Sequence, residues 1–262
     1  MNGGIVHLPG WRWPERAVQS VNLPRTKLPG TCLCRAALPP SRRNPRLPPV
    51  LRLKIRLLEV SPMIWRRVLV PASYALEELH GVIQVAMGWQ SLHLYQFFIR
   101  AVHYGSFDLC ASSPDRPLTS FRFRKGAKFI YEYDMGDFWR HEVRIENQLE
   151  PNGEQPYPVC MGGAHSCPPE DCGGPEGYDE RRREAIGFDA MNDFATVAEL
   201  IEEALLSGKQ DLLKDPDTLW SLEQAVDRVK ARQPFLRDGF SRREVNARFR
   251  RAEHHVLMHQ QF

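Results

Sequence analysis

Long apolar runs are missing from this sequence. No stretch of its 262 residues approaches the ~18 apolar residues of a membrane-spanning helix. No apolar segment follows the first residues as in a secretory leader, so neither a membrane nor an exported protein is expected. Cysteine is scarce too. Six cysteines, Cys32, Cys34, Cys110, Cys160, Cys167 and Cys172, are too few and too unevenly spread for a disulfide framework, and a reducing cytoplasm is the expected compartment. The P-loop and GxGxxG patterns are absent, as are the GxSxG elbow and the HExxH helix. Those absences count against the common hydrolase and nucleotide-dependent classes. There is no internal repeat.

What is present is divided by charge. The net charge of +3 conceals basic ends around an acidic body. Residues 1–49 hold eight Arg and Lys against Glu15 alone, and residues 228–251 hold nine against Asp238 and Glu244. An acidic body is a poor nucleic-acid binder, because phosphate contact needs clustered Lys and Arg. Nucleic acid could be met only through the basic tails, most of which are expected to be solvated.

The first 49 residues contain nine prolines, which fix φ and remove backbone donors, so a disordered or extended tail is expected over 1–49. Organised pattern begins at Leu51. Leu51, Leu53, Ile55 and Leu57 alternate with Arg52, Lys54 and Arg56, the signature of a half-buried strand. IWRRVLV (64–70) reads as a second strand. Ser73 is the expected cap of a helix with the stripe Leu76, Leu79, Ile83 and Met87. Further strands are expected with Tyr95, Phe97 and Ile99 on one face, at 128–134, at 138–149, and briefly near Tyr157. A Gly-, Pro- and Cys-rich loop follows. Then come two amphipathic helices, one striped by Val197, Leu200, Ile201 and Leu205, the other by Leu219, Leu222, Val226 and Val229. Strands first and helices later predict an α+β fold: a mainly antiparallel sheet with a helix from the N-terminal side and C-terminal helices packed on it. The expected division is a tail over 1–49, an α+β domain over 50–231 and a basic extension over 232–262.

Three stretches carry a family resemblance: PMIWRRVLVPASYALEELHGVIQVAMGWQSLHLYQF (62–97), YEYDMGDFWRHEV (131–143) and YPVCMGGAHSCPPEDCGGPEGYDE (157–180). In order and spacing, residues 50–205 closely resemble the plasmid pRiA4b ORF-3-like family. The resemblance implies a small α+β protein found on plasmids, mobile elements and bacterial chromosomes. It implies context and fold but no reaction. Some members are labelled as resolvase-like passengers of transposons, yet nothing in this chain looks like a serine or tyrosine recombinase site.

The residues that bear chemistry gather in two places. In YDMGDFWRHEV (133–143), a two-residue Met135-Gly136 loop would set Asp134 opposite Asp137, two like charges face to face. A three-residue loop, Met135-Gly136-Asp137, instead pairs Tyr133 with Trp139, Glu132 with Arg140, Tyr131 with His141 and Phe129 with Val143. That register separates an apolar face from a charged one and is the one predicted. It puts His141 within reach of the Tyr131 hydroxyl. His141 is then either an interior, hydrogen-bonded histidine or part of a polar rim with Asp134 and Asp137, a set suited to a divalent metal or to proton transfer.

The second place is the PPED-x-GG loop (168–174). Its Glu170 and Asp171 either meet Asp137 and His141 at one rim, or cap a helix beginning near Tyr178 and pair with Arg181–Arg183. Cys160, His165, Cys167 and Cys172 have the chemistry of a zinc loop, but without CxxC spacing; buried apolar cysteines are the plainer reading. His80, His93 and His103 are expected to be satisfied core or rim residues, and Trp65, Trp89 and Trp139 core anchors. One arginine of WRR (65–67) is suited to meet an anion, although strand arginines usually face solvent.

The function expected from all this is an interaction or accessory module without its own catalysis, with a protein partner or, through the tails, nucleic acid. The alternative is a metal-dependent hydrolase with a divalent cofactor in a pocket of Asp134, Asp137, His141, Glu170 and Asp171.

Overall fold

The alternation that opens the ordered chain becomes the middle of a sheet. The structure is a computed structural model; it describes residues 48–152, 156–206, 208, 214–237 and 239–259, so the expected tail falls outside the described residues except for its last two. In β1 (Val50–Leu57), Leu53, Ile55 and Leu57 are sealed from solvent, while Arg52, Lys54 and Arg56 are only partly covered. Its neighbour β2 (Trp65–Pro71) pairs antiparallel, with Leu53 opposite Val68 and Ile55 opposite Arg66. Directly opposed residues share a face of the sheet. Arg66 therefore points into the core side, at 2% exposure.

The remaining strands are β3 (Tyr95–Ile99), β4 (Val102–Gly105), β5 (Lys128–Tyr133), β6 (Trp139–Leu149) and β7 (Val159–Ala164). The sheet runs β4-β3-β5-β6-β1-β2-β7, antiparallel at every pairing. The fold is α+β, as the order of the elements predicts. The β5–β6 register is the predicted one: Tyr133 faces Trp139, Glu132 faces Arg140, and Tyr131 faces His141. Phe138 N–H closes the three-residue loop on Asp134 O at 2.8 Å.

One face of the sheet is apolar and aromatic. The other carries charge, with Arg67 bidentate to Glu146 at 2.6 and 2.8 Å and Lys128 on Glu142 at 2.7 Å. Trp65 belongs to this second face. Rather than anchoring the core, it lies under Lys54 and Arg67 at 5.1 and 5.2 Å, a cation–π arrangement.

Helix α1 (Leu76–Met87) covers the apolar face, with Leu76, Leu79 and Ile83 fully buried. It starts two residues later than the expected Ser73 cap allows. The N-cap is Ala75, whose own N–H is satisfied by Glu78 Oε2 at 2.8 Å. In place of a capping hydroxyl, the carbonyls of Arg116 and Pro114 accept from the first-turn N–H groups of Leu76 and Glu77 at 3.2 and 3.1 Å.

Helices α2 (Gly174–Ala185), α3 (Phe188–Ile201) and α4 (Pro216–Leu236) pack on one another. Arg228 and Arg232 converge there on buried Asp193, holding its carboxyl down at about 2. Two short helices from the basic C-terminal stretch, α5 (Arg242–Arg250) and α6 (Glu253–Leu257), close over α1 and β7. Gly81 of α1 makes this possible: a Cβ there would stand 2.0 Å from His254 O.

Candidate metal centre

The tips of two strand connections and one loop meet beside the β5–β6 hairpin. β3 and β5 pair with Tyr95 opposite Tyr133, and Asp134 N–H continues the ladder to Leu94 O at 2.9 Å. This register brings His93 alongside Asp134. Asp134 takes a left-handed φ of 63°, which an Asx turn tolerates. Its Oδ1 accepts from Gly136 N–H at 2.8 Å and Asp137 N–H at 3.2 Å. Oδ2 remains, 3.6 Å from His93 Nε2.

The third member arrives on the PPED-x-GG loop. Trp89 Nε1–H donates to Pro168 O at 2.9 Å, Gln90 N–H to Glu170 Oε2 at 3.0 Å, and the Tyr133 hydroxyl to Glu170 Oε1 at 2.5 Å. At the far side Gly173 N–H donates to Asp137 Oδ2 at 3.0 Å. Gly174 lies so close that a Cβ would stand 2.4 Å from Asp137 O. Held at both ends, the loop sets Asp171 Oδ1 3.0 Å from His93 Nε2. Burial and the Glu170 carboxylate both push the Tyr133 hydroxyl up, so it stays a neutral donor.

His93 Nε2, Asp134 Oδ2 and Asp171 Oδ1 thus surround one point, with ligand atoms all within 4.8 Å of one another. Nε2 is sealed from solvent yet makes no hydrogen bond of good geometry with either carboxylate. Neighbouring ligands on an ion with bonds of about 2.1 Å are about 3.0–3.4 Å apart, close to the 3.0 and 3.6 Å from His93 Nε2 to the two carboxylates. Among the described residues none of the carboxylates Asp134, Asp137, Glu170 and Asp171 pairs with a lysine or arginine. Imidazole with two carboxylates suits Mn²⁺, Zn²⁺ or Fe²⁺ better than Ca²⁺, and three protein ligands leave positions open.

Of the residues singled out in the sequence, Asp134 and Asp171 meet at this point, and Asp137 and Glu170 fasten the loop beside it. His141 does not join them. It is fully buried on the inner face of β6, edge-on to Trp89 at 5.3 Å, and neither ring nitrogen has a hydrogen-bond partner among the described residues. The Tyr131 hydroxyl expected to reach it is taken by His80 Nδ1 at 2.7 Å and Gln84 Nε2 at 3.0 Å. Burial lowers His141 to about 3; the nearby Tyr131 and Trp139 backbone offsets this only in part, without a hydrogen bond of good geometry to either ring nitrogen.

The four residues of the suspected zinc loop do not converge. Among the described residues no other group of His, Cys, Asp or Glu gathers as His93, Asp134 and Asp171 do. Cys160 turns to Gly162 O, Cys172 is a buried member of the 168–174 loop, and burial pushes Cys167 and Cys172 up to about 12. His165 lies beyond β7 at a left-handed φ of 60°. His93, expected to be a satisfied core or rim residue, is the third member. Its signal was long-range: it stands out only once β3 is paired with β5.

Comparison with known proteins agrees with this architecture. The family described as plasmid pRiA4b ORF-3-like protein matches residues 49–196. The uncharacterized protein y4hQ of Sinorhizobium fredii is 42% identical over 139 residues, 50% of this chain and 70% of the relative. A crystal structure of a protein of unknown function, MM3350 from Methanosarcina mazei Go1, is similar with a TM-score of 0.50 and 30% identity; the match covers 56% of this chain and 88% of that one.

Proposed function

The chain belongs to the plasmid pRiA4b ORF-3-like family, and from that footing we propose that it is a cation-dependent binding module, an accessory protein whose divalent ion sits between His93, Asp134 and Asp171. The convergence of these three ligand atoms carries the reading. Asp134 is oriented by two backbone N–H groups on its other oxygen, the outer-shell arrangement that fixes a metal ligand. A protein partner is supported by the outer surface of α3, where Phe188 is 77% and Met191 68% exposed, more apolar surface than a lone helix usually shows to water. Nucleic-acid contact would rest on the basic residues that remain available. Of the C-terminal ones, Arg228 and Arg232 hold Asp193, and Arg248 and Arg251 hold Glu253. No helix among the described residues is long and apolar enough to cross a membrane.

A second reading, the metal-dependent hydrolase, is favoured by the open positions of the ligand set, where a water would be acidified by the ion. One experiment addresses both. The full chain is stripped with a chelator, titrated calorimetrically with Mn²⁺ and Zn²⁺, and compared with His93→Gln, Asp171→Asn and Cys160→Ser. Binding of one ion per chain is expected, weakened about tenfold or more by the first two substitutions and unchanged by the third. Equal binding by all four proteins would sink the metal reading. Turnover of a generic phosphodiester by the metal-loaded protein, lost in Asp171→Asn, would move the conclusion to the hydrolase.

A further inference from the structure

Arg66 stands where the alternation of β2 calls for an apolar side chain. Ile64, Val68 and Val70 on the same face are fully buried, and so is Arg66. Its Nε donates to Ala86 O at 2.9 Å, and Nη1 to Trp65 O at 2.8 Å and Ala164 O at 2.9 Å. The Phe240 ring lies 4.4 Å from the guanidinium. All of its acceptors are backbone carbonyls, and no carboxylate of the described residues pairs with it. The C-terminal end of α1, to which Ala86 belongs, offers about half a negative charge. A buried cation compensated only that far is costly. Cys160 and Cys167 lie nearby, but burial raises both thiols, so they remain neutral.

Nη2 donates to nothing among the described residues and is not sealed from solvent. Arg66 lines a cavity of about 770 Å³ between the end of α1, the 166–170 loop and the start of α5. The free edge of the guanidinium is what it contributes there. Trp89, Val245 and Phe240 supply apolar wall, while Arg237 and Arg248 stand on the lining with Glu170 and Glu244. Arg248 is held by Glu253 at 2.6 Å, which leaves Arg66 as the buried cation without a carboxylate.

We propose that this cavity is a binding site for an organic oxyanion, a carboxylate or phosphate on an apolar body, with Arg66 Nη2 as its anchor and Phe240 and Trp89 bounding the body. The cavity shares the 166–170 loop with the cation centre, but none of His93, Asp134 and Asp171 lines it. Guanidinium donors hold carboxylate and phosphate oxygens in directional, charge-assisted bonds. The lining sets apolar wall from Trp89, Phe240 and Val245 beside a mixed set of charges, in which Arg66 and Arg237 favour an anion and Glu170 and Glu244 oppose one.

The test is calorimetric titration of the full chain, in EDTA, with phenyl phosphate, benzoate and inorganic phosphate. An aryl oxyanion is expected to saturate at one per chain and to bind at least about tenfold more tightly than inorganic phosphate, because only it fills the apolar wall. Arg66→Met is expected to lower that affinity about tenfold or more, and Phe240→Ala, which leaves the buried cation in place, by several-fold. Failure of both aryl probes to saturate overturns the proposal. So does wild-type affinity in Arg66→Met or, where that variant does not fold, in Phe240→Ala. Binding that appears only when Mn²⁺ replaces EDTA assigns the anion to the cation centre and overturns the proposal as well.

Discussion

Two buried histidines show how the same side chain can be a structural asset or a liability. His80 bridges the Tyr131 hydroxyl at 2.7 Å and Ser91 Oγ at 2.8 Å and stacks on Tyr95 at 3.7 Å. His141 is as deeply buried and has no such partner. Burial lowers both to about 3, against an ordinary value near 6.5. With the folded-state value depressed, the unfolded chain binds the extra protons, so stability is fully present above about pH 6.5 and falls as pH drops toward 3. Together the two histidines give a slope of roughly 3 kcal/mol per pH unit in the middle of that window. His141→Leu should be near-neutral at pH 7, because it removes a buried polar group without orphaning a partner. It should remove about half of the slope that these two contribute, leaving that of His254, lowered by burial to about 4. Replacing His80 instead should cost about 1–3 kcal/mol at pH 7, because Tyr131 and Ser91 lose a partner. Urea unfolding at pH 7, 5.5 and 4.5 checks both; a His141→Leu protein with the wild-type pH slope would contradict the assignment. At this scale the sequence was legible where the partner lay across a local hairpin, as for Tyr131 opposite His141. It was not legible where the partner came from another element, as for the His80–Tyr131 bond and for His93 beside Asp171.

Element by element, strand alternation was the clearest signal for β1 and for the β5–β6 register; β2 was legible as a strand, but its buried Arg66 runs against the expectation that strand arginines face solvent. The helix start was less clear, because carbonyls from the 114–116 segment, distant in sequence, accept the first-turn N–H groups that Ser73 was expected to cap. The strand expected near Tyr157 lies further on, at Val159–Ala164, its edge covered by α5: Asn246 accepts from Cys160 N–H at 2.7 Å and donates to Cys160 O at 2.9 Å. One amide side chain there completes what a neighbouring strand would have supplied. The meeting of α1 with α6 gives a prediction of sign. Alanine is worth about 1 kcal/mol more than glycine inside a helix, so Gly81→Ala would stabilise an isolated α1. In the folded protein its Cβ would stand 2.0 Å from His254 O and 2.9 Å from Met258 N. Both are backbone atoms that cannot swing aside, and overpacking of this kind typically costs 1–3 kcal/mol. The clash should win. A lower thermal midpoint is expected for Gly81→Ala, together with faster amide exchange across residues 253–259; an unchanged or raised midpoint would mean that α6 does not rest on α1.

Across the whole molecule, charge was the misleading guide. Residues 232–262 read as a basic extension because arginine dominates them, yet they hold an apolar minority at helical spacing, Val245 and Phe249, buried to 8% and 5%. His254 is buried with them, and Arg248 reaches back to Val85 O. A boundary placed at residue 231 by composition would therefore cut through a packed layer. It would strip the outer surface of α1, a helix buried at every residue but Glu77 and Glu78, and would leave both backbone groups of Cys160 without Asn246. Fully burying a side chain of valine or phenylalanine size is worth roughly 1.5–3 kcal/mol. Removing Val245, Phe249 and Leu257 together approaches the net stability of an ordinary domain, about 5–15 kcal/mol. A chain ending at residue 231 should therefore fold poorly or bind a hydrophobic dye strongly, while the full chain unfolds cooperatively. If the shortened chain instead unfolds at the same urea concentration as the full one, α5 and α6 contribute no stability. The cavity lined by Arg66 would then lose the wall that Phe240 and Val245 give it without cost to the fold, and any affinity for an aryl oxyanion would have to reside in the sheet and α1 alone.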